Sequence, residues 1–189
     1  GRAPSRYTRL VPDTRRYQLQ NAAANALIAE LLEAAGVPPD RRGYYHQMLT
    51  TVLKMHEDGA LTGDLKITNA ALKELRYAFK VFAPYRGVPK VSIFGSARTT
   101  PEDPSYRQAA EFANLMARSG FMVITGAGSG VMEAAQGGAG REKSFGVNIR
   151  LPYEQKANST IVDDPKLVNF KYFFTRKVVF VKETHAIAL

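Results

Sequence analysis

Two glycine-marked turns carry the residues of this chain whose types and spacing could do chemistry. Gly126, Gly128 and Gly130 close the apolar run Met122 to Thr125, with Ser129 between them, and Gly95-Ser96 closes the run Val91, Ile93, Phe94. A backbone that approaches a phosphate closely has to lack side chains, and a helix that starts just after such a loop points free N–H groups and a positive dipole end at the anion. The loop before Val131 meets both conditions. It is not the dinucleotide fingerprint G-x-G-x-x-G, and Asn148 and Arg150 stand after the third strand where a ribose-binding acid would be expected, so nicotinamide chemistry is disfavoured. No Gly-Lys-Ser or Gly-Lys-Thr occurs, which excludes a P-loop. His46, His56 and His185 are far apart and there is no cysteine, so no metal site and no metal or redox cofactor is expected.

The elements that must position these loops can be read from periodicity. Tyr106, Ala109, Ala110, Ala113, Leu115 and Met116 recur at roughly helical spacing between the two apolar runs, so the order is strand, helix, strand, helix. Such a βαβα unit argues for a parallel sheet, in which ligands bind at the carboxyl ends of the strands. Ser144 to Ile149 reads as a third strand, Lys166 to Lys171 as a short strand, and Tyr172 to Glu183 as a helix, because a following strand needs a crossover. Ala186 to Leu189 looks like the start of another buried strand. An open sheet that stops inside an apolar strand is expected to belong to a longer polypeptide, with the C-terminal part of the sheet missing. Upstream, three amphipathic helices are expected within Tyr17 to Ala35, from an Asp40 N-cap to Gly59, and from Gly63-Asp64 to Pro84; the second gathers Tyr45, Met48, Leu49, Val52, Leu53 and His56 on one face. The expected organisation is a helical extension over residues 1–88 and a Rossmann-like α/β domain over 89–189, with helices on both faces of its sheet.

The chain has 189 residues, 45% of them hydrophobic, enough for a sizeable core. Its apolar runs fall short of the ~18–20 residues of a membrane span, there is no secretory h-region at the N-terminus, and the absence of cysteine fits a cytoplasmic protein. A net charge of +9 favours anionic partners. The basic arm Arg2 to Arg16 reads as an extension rather than a nucleic-acid reader, and nucleic acid is disfavoured because the cations are not interleaved with aromatics.

The segments SIFGSART, GFMVITGAGSGVMEAAQGGA, GVNIRLPYEQKAN and FFTRKVVFVKETHAIAL, in that order, resemble the LONELY GUY (LOG) family in its longer bacterial-type form. The resemblance covers about Lys90 to Leu189. It implies a Rossmann-like nucleotide-binding fold and hydrolysis of the N-glycosidic bond of nucleoside 5′-monophosphates, AMP or cytokinin riboside monophosphates, to base and ribose 5-phosphate. By position it implies that Gly95, Ser96, Thr125, Gly126, Gly128, Ser129 and Gly130 hold the nucleotide. It also implies that Glu154 and Asn158 contact ribose or base, that Arg176 is catalytic and that Lys177, the second member of the family's Arg-Lys pair, binds substrate. The family's PGGxGTxxE signature, with its catalytic glutamate, would follow Leu189, so this chain by itself is expected to be inactive. Family members are usually dimers or larger, and a homodimer or higher homo-oligomer is expected. Two other readings are similar in fold: a non-catalytic nucleotide or molybdenum-cofactor carrier, and a single-stranded DNA binder of the DNA-processing type.

Overall fold

The computed structural model describes residues 17–150 and 157–189. It divides into two compact units between Ile67 and Thr68, inside the third helix. The basic arm and residues 151–156, which include Glu154, lie outside the described residues.

The first unit holds α1 (Ala22–Ala34), α2 (Pro39–Glu57) and the opening turns of α3 (Thr62–Phe82). Asn21 starts α1 by accepting from the N–H groups of Ala23 and Ala24, and Gly36, at φ +66°, follows its end. Asp40 does not cap α2 as expected. Pro38 occupies that place, Pro39 opens the helix with the φ it needs anyway, and Asp40 sits inside the first turn, where its charge faces the positive end of the dipole. The unit's core is small: Leu19, Ile28 and Leu32, with Ala24, Val37 and Leu49 against them. Of the expected face of α2, Tyr45, Met48, Val52 and Leu53 remain exposed, and Thr50 is buried instead.

In the second unit, β1 (Lys90–Ile93), β2 (Met122–Thr125), β3 (Ser144–Ile149), β4 (Leu167–Phe170) and β5 (Ala186–Ala188) form an all-parallel sheet in the order β4-β3-β2-β1-β5. The crossovers carry α4 (Pro104–Arg118), α5 (Val131–Ala139) and α6 (Phe173–Glu183). Val91, Ile93 and Val123 face α4 and α5, burying Ala113 and Ala135. Met122, Ile124, Phe145, Val147 and Ile149 face α3 and α6, and the Phe82 ring stacks on Phe145 at 4.3 Å. Each such Val, Ile or Phe contributes about 1.5–3 kcal/mol by leaving water. This is a Rossmann-like fold with helices on both faces. Leu115, counted in the apolar pattern of α4, points to solvent, and Phe112 packs inward in its stead. Backbones of α4 and α5 meet at Gly138: a Cβ there would lie 2.0 Å from the Ala110 carbonyl oxygen.

The chain runs outward from β1 to β4, and then α6 carries it back to the other side of β1. That reversal puts a crevice at the carboxyl ends of β1 and β5, the place where open α/β sheets bind ligands.

At the amino end of the sheet, charges are closed off. Lys90 is buried; its Nζ donates to the carbonyls of Tyr85 (2.7 Å) and Val88 (2.9 Å) and stands 4.0 Å from the Glu183 carboxylate. Lys182 also reaches Glu183, and His185 Nδ1 accepts from the Lys90 backbone N–H. Below β3 and β4, Asp164 is held by Arg141 (2.9 Å) and Lys166 (2.8 Å), while Arg141 also donates to the carbonyls of Thr160 and Val162.

Candidate functional site

The two glycine turns emerge side by side from β1 and β2, and they are joined. The Val131 N–H, first in α5, donates to the Ser96 carbonyl at 3.0 Å, and the Ser129 hydroxyl donates to the Ala97 carbonyl at 2.8 Å. Gly130 precedes α5 at φ +66°, and a Cβ there would lie 2.2 Å from the Ser96 carbonyl oxygen. At Gly95 a Cβ would meet the Val131 side chain at 2.5 Å. Both glycines therefore have a packing reason to be glycine: the two loops could not close on one another otherwise. Ser96 helps shape its own turn, its Oγ accepting from the Arg98 N–H at 3.1 Å.

Gly126 and Gly128 differ. A Cβ on Gly126 would lie 2.6 Å from a terminal nitrogen of Arg176, and one on Gly128 would meet only the Met132 methyl, at 2.8 Å. Arg176 comes from α6, on the opposite face of the sheet from α5, and reaches the loop over the carboxyl end of β3. Its Nε donates to the Val147 carbonyl at 2.8 Å, and its guanidinium lies 5.5 Å from the Phe180 ring centre. The packing fixes the plane of the fork.

Behind the loop, Thr125 is buried and its Oγ1 accepts from the Ala127 N–H at 3.0 Å, a turn in which Ala127 takes φ +65°. Asn158 braces the loop from outside. Its backbone N–H donates to the Ala127 carbonyl, and its Nδ2 donates to the Gly128 carbonyl (2.9 Å) and to Gln136 Oε1 (2.7 Å). Asn158 is 7% exposed, and its Oδ1 is buried with no hydrogen-bond partner among the described residues. Gln136 continues the chain of bonds to the Phe145 carbonyl at 3.1 Å.

Two cavities flank the ends of β1 and β5. One, of about 400 Å³, lies in the crevice where strand order reverses and is bounded by Gly95, Val131, Gln108 and Leu189. The other, of about 350 Å³, lies on the α6 side; Arg176 and the exposed Lys177 stand on a wall otherwise made of Phe94, Phe173, Phe180 and Ile187. Glu133 lies in the first turn of α5; burial raises the pKa of Tyr106 on α4, and the Glu133 charge raises it further.

Of the residues singled out in the sequence, Gly95, Ser96, Thr125, Gly126, Gly128, Ser129, Gly130, Asn158 and Arg176 come together in one structure. Lys177 faces the α6-side cavity, and Glu154 lies outside the described residues. Sequence reading misses Gln136 and Met132. A lone glutamine in the small-residue run AAQGGAG is the one available signal for Gln136, which is wholly buried. Among the described residues no group of three or more His, Asp or Glu is placed to hold a metal ion. No helix among them is long and apolar enough to cross a membrane.

Sheet order and joined glycine loops thus define a Rossmann-like domain whose candidate site sits at the carboxyl ends of its strands. The model of the SLOG cluster4 family matches residues 88–188, more than half of the chain, and the chain belongs to that family. The SLOG superfamily is a nucleotide-processing one and includes LOG-like and DprA-like members. No curated protein matches the chain.

Proposed function

We propose that the protein binds a nucleoside 5′-monophosphate across the loops that follow β1 and β2, and that its reaction is the LOG-type one: hydrolysis of the N-glycosidic bond to free base and ribose 5-phosphate. The observation that supports this most is the placement of Arg176 against Gly126, a cation brought from the far face of the sheet onto a loop that opens a helix. A helix N-terminus contributes only ~0.3–1 kcal/mol per charge at exposed sites, too little to position a phosphate dianion alone. A charge-assisted bond from arginine adds ~1.5–3 kcal/mol. In this reading Arg176 and the backbone of Gly126 to Ser129 hold the phosphate, with Lys177 nearby. Thr125, Asn158, Gly95 and Gly130 keep the loops in shape. No metal or redox step is needed, since cleaving C1′–N9 makes an oxocarbenium-like ribose that a carboxylate stabilises or that carboxylate-activated water attacks.

A carrier without turnover is the second reading, and the place of Glu133 favours it: it stands on α5, which packs on the face of the sheet opposite α6, the helix that carries Arg176. For the same reason the 189-residue chain by itself is proposed to bind nucleotide without hydrolysing it. A homodimer is proposed through the outer face of α6, where Phe173, Phe174, Val178 and Val181 are exposed. The test of the main reading is adenine release by the protein from AMP and from adenosine. Turnover of AMP alone is expected; equal turnover of adenosine would sink the proposal, because the loops and Arg176 would then have no task. Release of adenine from AMP by the 189-residue chain would make Glu133 or Glu154 the acid to mutate.

A further inference from the structure

Helix α6, which carries Arg176, begins without a cap of its own. Its N-cap residue is Tyr172, whose side chain makes no capping bond, and the first turn, Phe173-Phe174-Thr175-Arg176, holds no acid. A carboxylate from α3 fastens this first turn instead, through a side chain and the residue before the cap. Glu74 takes the Lys171 N–H on one carboxylate oxygen and the Thr175 hydroxyl on the other, each at 2.6 Å, across 97 and 101 residues of chain. Thr175 has one proton and two acceptors in reach; the charged carboxylate at 2.6 Å outcompetes the Tyr172 carbonyl at 2.9 Å, which also receives the Arg176 N–H. Thr175 is wholly buried, so its hydroxyl depends on Glu74 for its strongest bond. A negative charge at this end of α6 also complements the helix dipole. At the other end of the same helix, the Lys182 ammonium lies 4.8 Å over the Phe79 ring, again from α3.

We propose that Glu74 is a positioning residue for Arg176, anchoring the first turn of α6 through the Thr175 hydroxyl and the Lys171 N–H. Arg176 directly follows Thr175, and its fork must thread between the Val147 carbonyl, the Phe180 ring and Gly126. A first turn released from Glu74 unwinds at the residue before the arginine, and the guanidinium leaves the glycine loop. The inference rests on the reading that Arg176 holds the phosphate.

The experiment is a cycle of variants read by AMP affinity and by the Arg176 Nε–H resonance in nucleotide-free protein. Glu74→Ala should raise the Kd for AMP about tenfold, the scale expected when a binding group is misplaced by a fraction of an ångström to an ångström. Thr175→Val should do the same and Thr175→Ser should not. In an Arg176→Ala background, Glu74→Ala should cost no further affinity, because its effect passes through the arginine. The Arg176 resonance should shift in Glu74→Ala and Thr175→Val and stay in place in Thr175→Ser. An unchanged Kd in Glu74→Ala, an equal loss in the Arg176→Ala background, or an unmoved resonance would each overturn the proposal. If the unsubstituted protein fails to bind AMP, the nucleotide reading falls and the resonance alone decides whether Glu74 positions Arg176. Should Glu74→Ala not fold, Thr175→Val supplies the same readouts.

Discussion

The two ends of the sheet treat positive charge in opposite ways. At the amino end, Lys90 is buried with its donors directed at two carbonyls and a carboxylate, and Arg141 and Lys166 close on Asp164. At the carboxyl end, Arg176 is half-buried, spends one nitrogen on the Val147 carbonyl, and lays the fork against a residue that has no side chain. Cations of the first kind tie segments together; one of the second kind is aimed. What separates the two kinds here is thus what the cation lies against: carboxylates and carbonyls at the amino end, a loop residue without a side chain at the carboxyl end.

The largest expected effect tests the amino end. Lys90→Met should cost about 3 kcal/mol of stability, since it leaves Glu183 buried beside two carbonyls that have lost their donor. Chemical denaturation reads the loss, and AMP affinity of the folded protein should not change; a weaker affinity would show that the two ends are not independent.

Next come the loops. Gly130→Ala should destabilise by roughly 2 kcal/mol, because a methyl group meets the Ser96 carbonyl and the backbone is left-handed there. Gly128→Ala should cost under about 1 kcal/mol, because only the flexible end of Met132 has to move, yet on the proposed reading it should weaken AMP binding by placing carbon on the backbone that would hold the phosphate. Measured together, the pair separates glycines needed for folding from one needed for a ligand. Equal stability losses, or an unchanged affinity in Gly128→Ala, would erase that distinction.

The smallest effect is a pH dependence. Burial alone would raise the pKa of Asp164, but hydrogen bonds from the Lys166 side chain and backbone, with the Lys166 and Arg141 charges, outweigh it and lower the value below 3.8. A carboxyl group lowered on folding gives stability that is complete above its ordinary value and is lost as pH falls through the folded one. Urea midpoints should therefore drop more steeply in acid below about pH 4 for the natural protein than for Asp164→Asn. Parallel curves would mean that the ion cluster at the amino end contributes no net stability.

Much of the fold is legible in the amino-acid sequence. The third strand reads as Ser144 to Ile149, the bounds it has in the structure, and the βαβα order follows from Val91 to Gly140, because runs of β-branched residues and helical spacing are local signals. The division of labour among the glycines is not legible there. Gly95, Gly128 and Gly130 look alike in sequence, and only the approach of Val131 and Ser96 tells a glycine that fits a neighbour from one that leaves space. The brace from Asn158 and the anchor from Glu74 are equally hidden, since each depends on residues far apart in the chain being brought within 3 Å. The expected burial of the α2 face fails for a related reason: periodicity shows that a helix has an apolar side, not that anything covers it.

The backbone contact at Gly138 bears on how the candidate site can open. With Ala110 against Gly138, and Asn114 bonded to the Gly138 carbonyl at 3.0 Å, α4 and α5 are locked into one body, and the loop that begins α5 cannot swing apart from its neighbour. A ligand at these loops should therefore be admitted by displacement of side chains such as Met132 rather than by the microsecond to millisecond opening of a hinge.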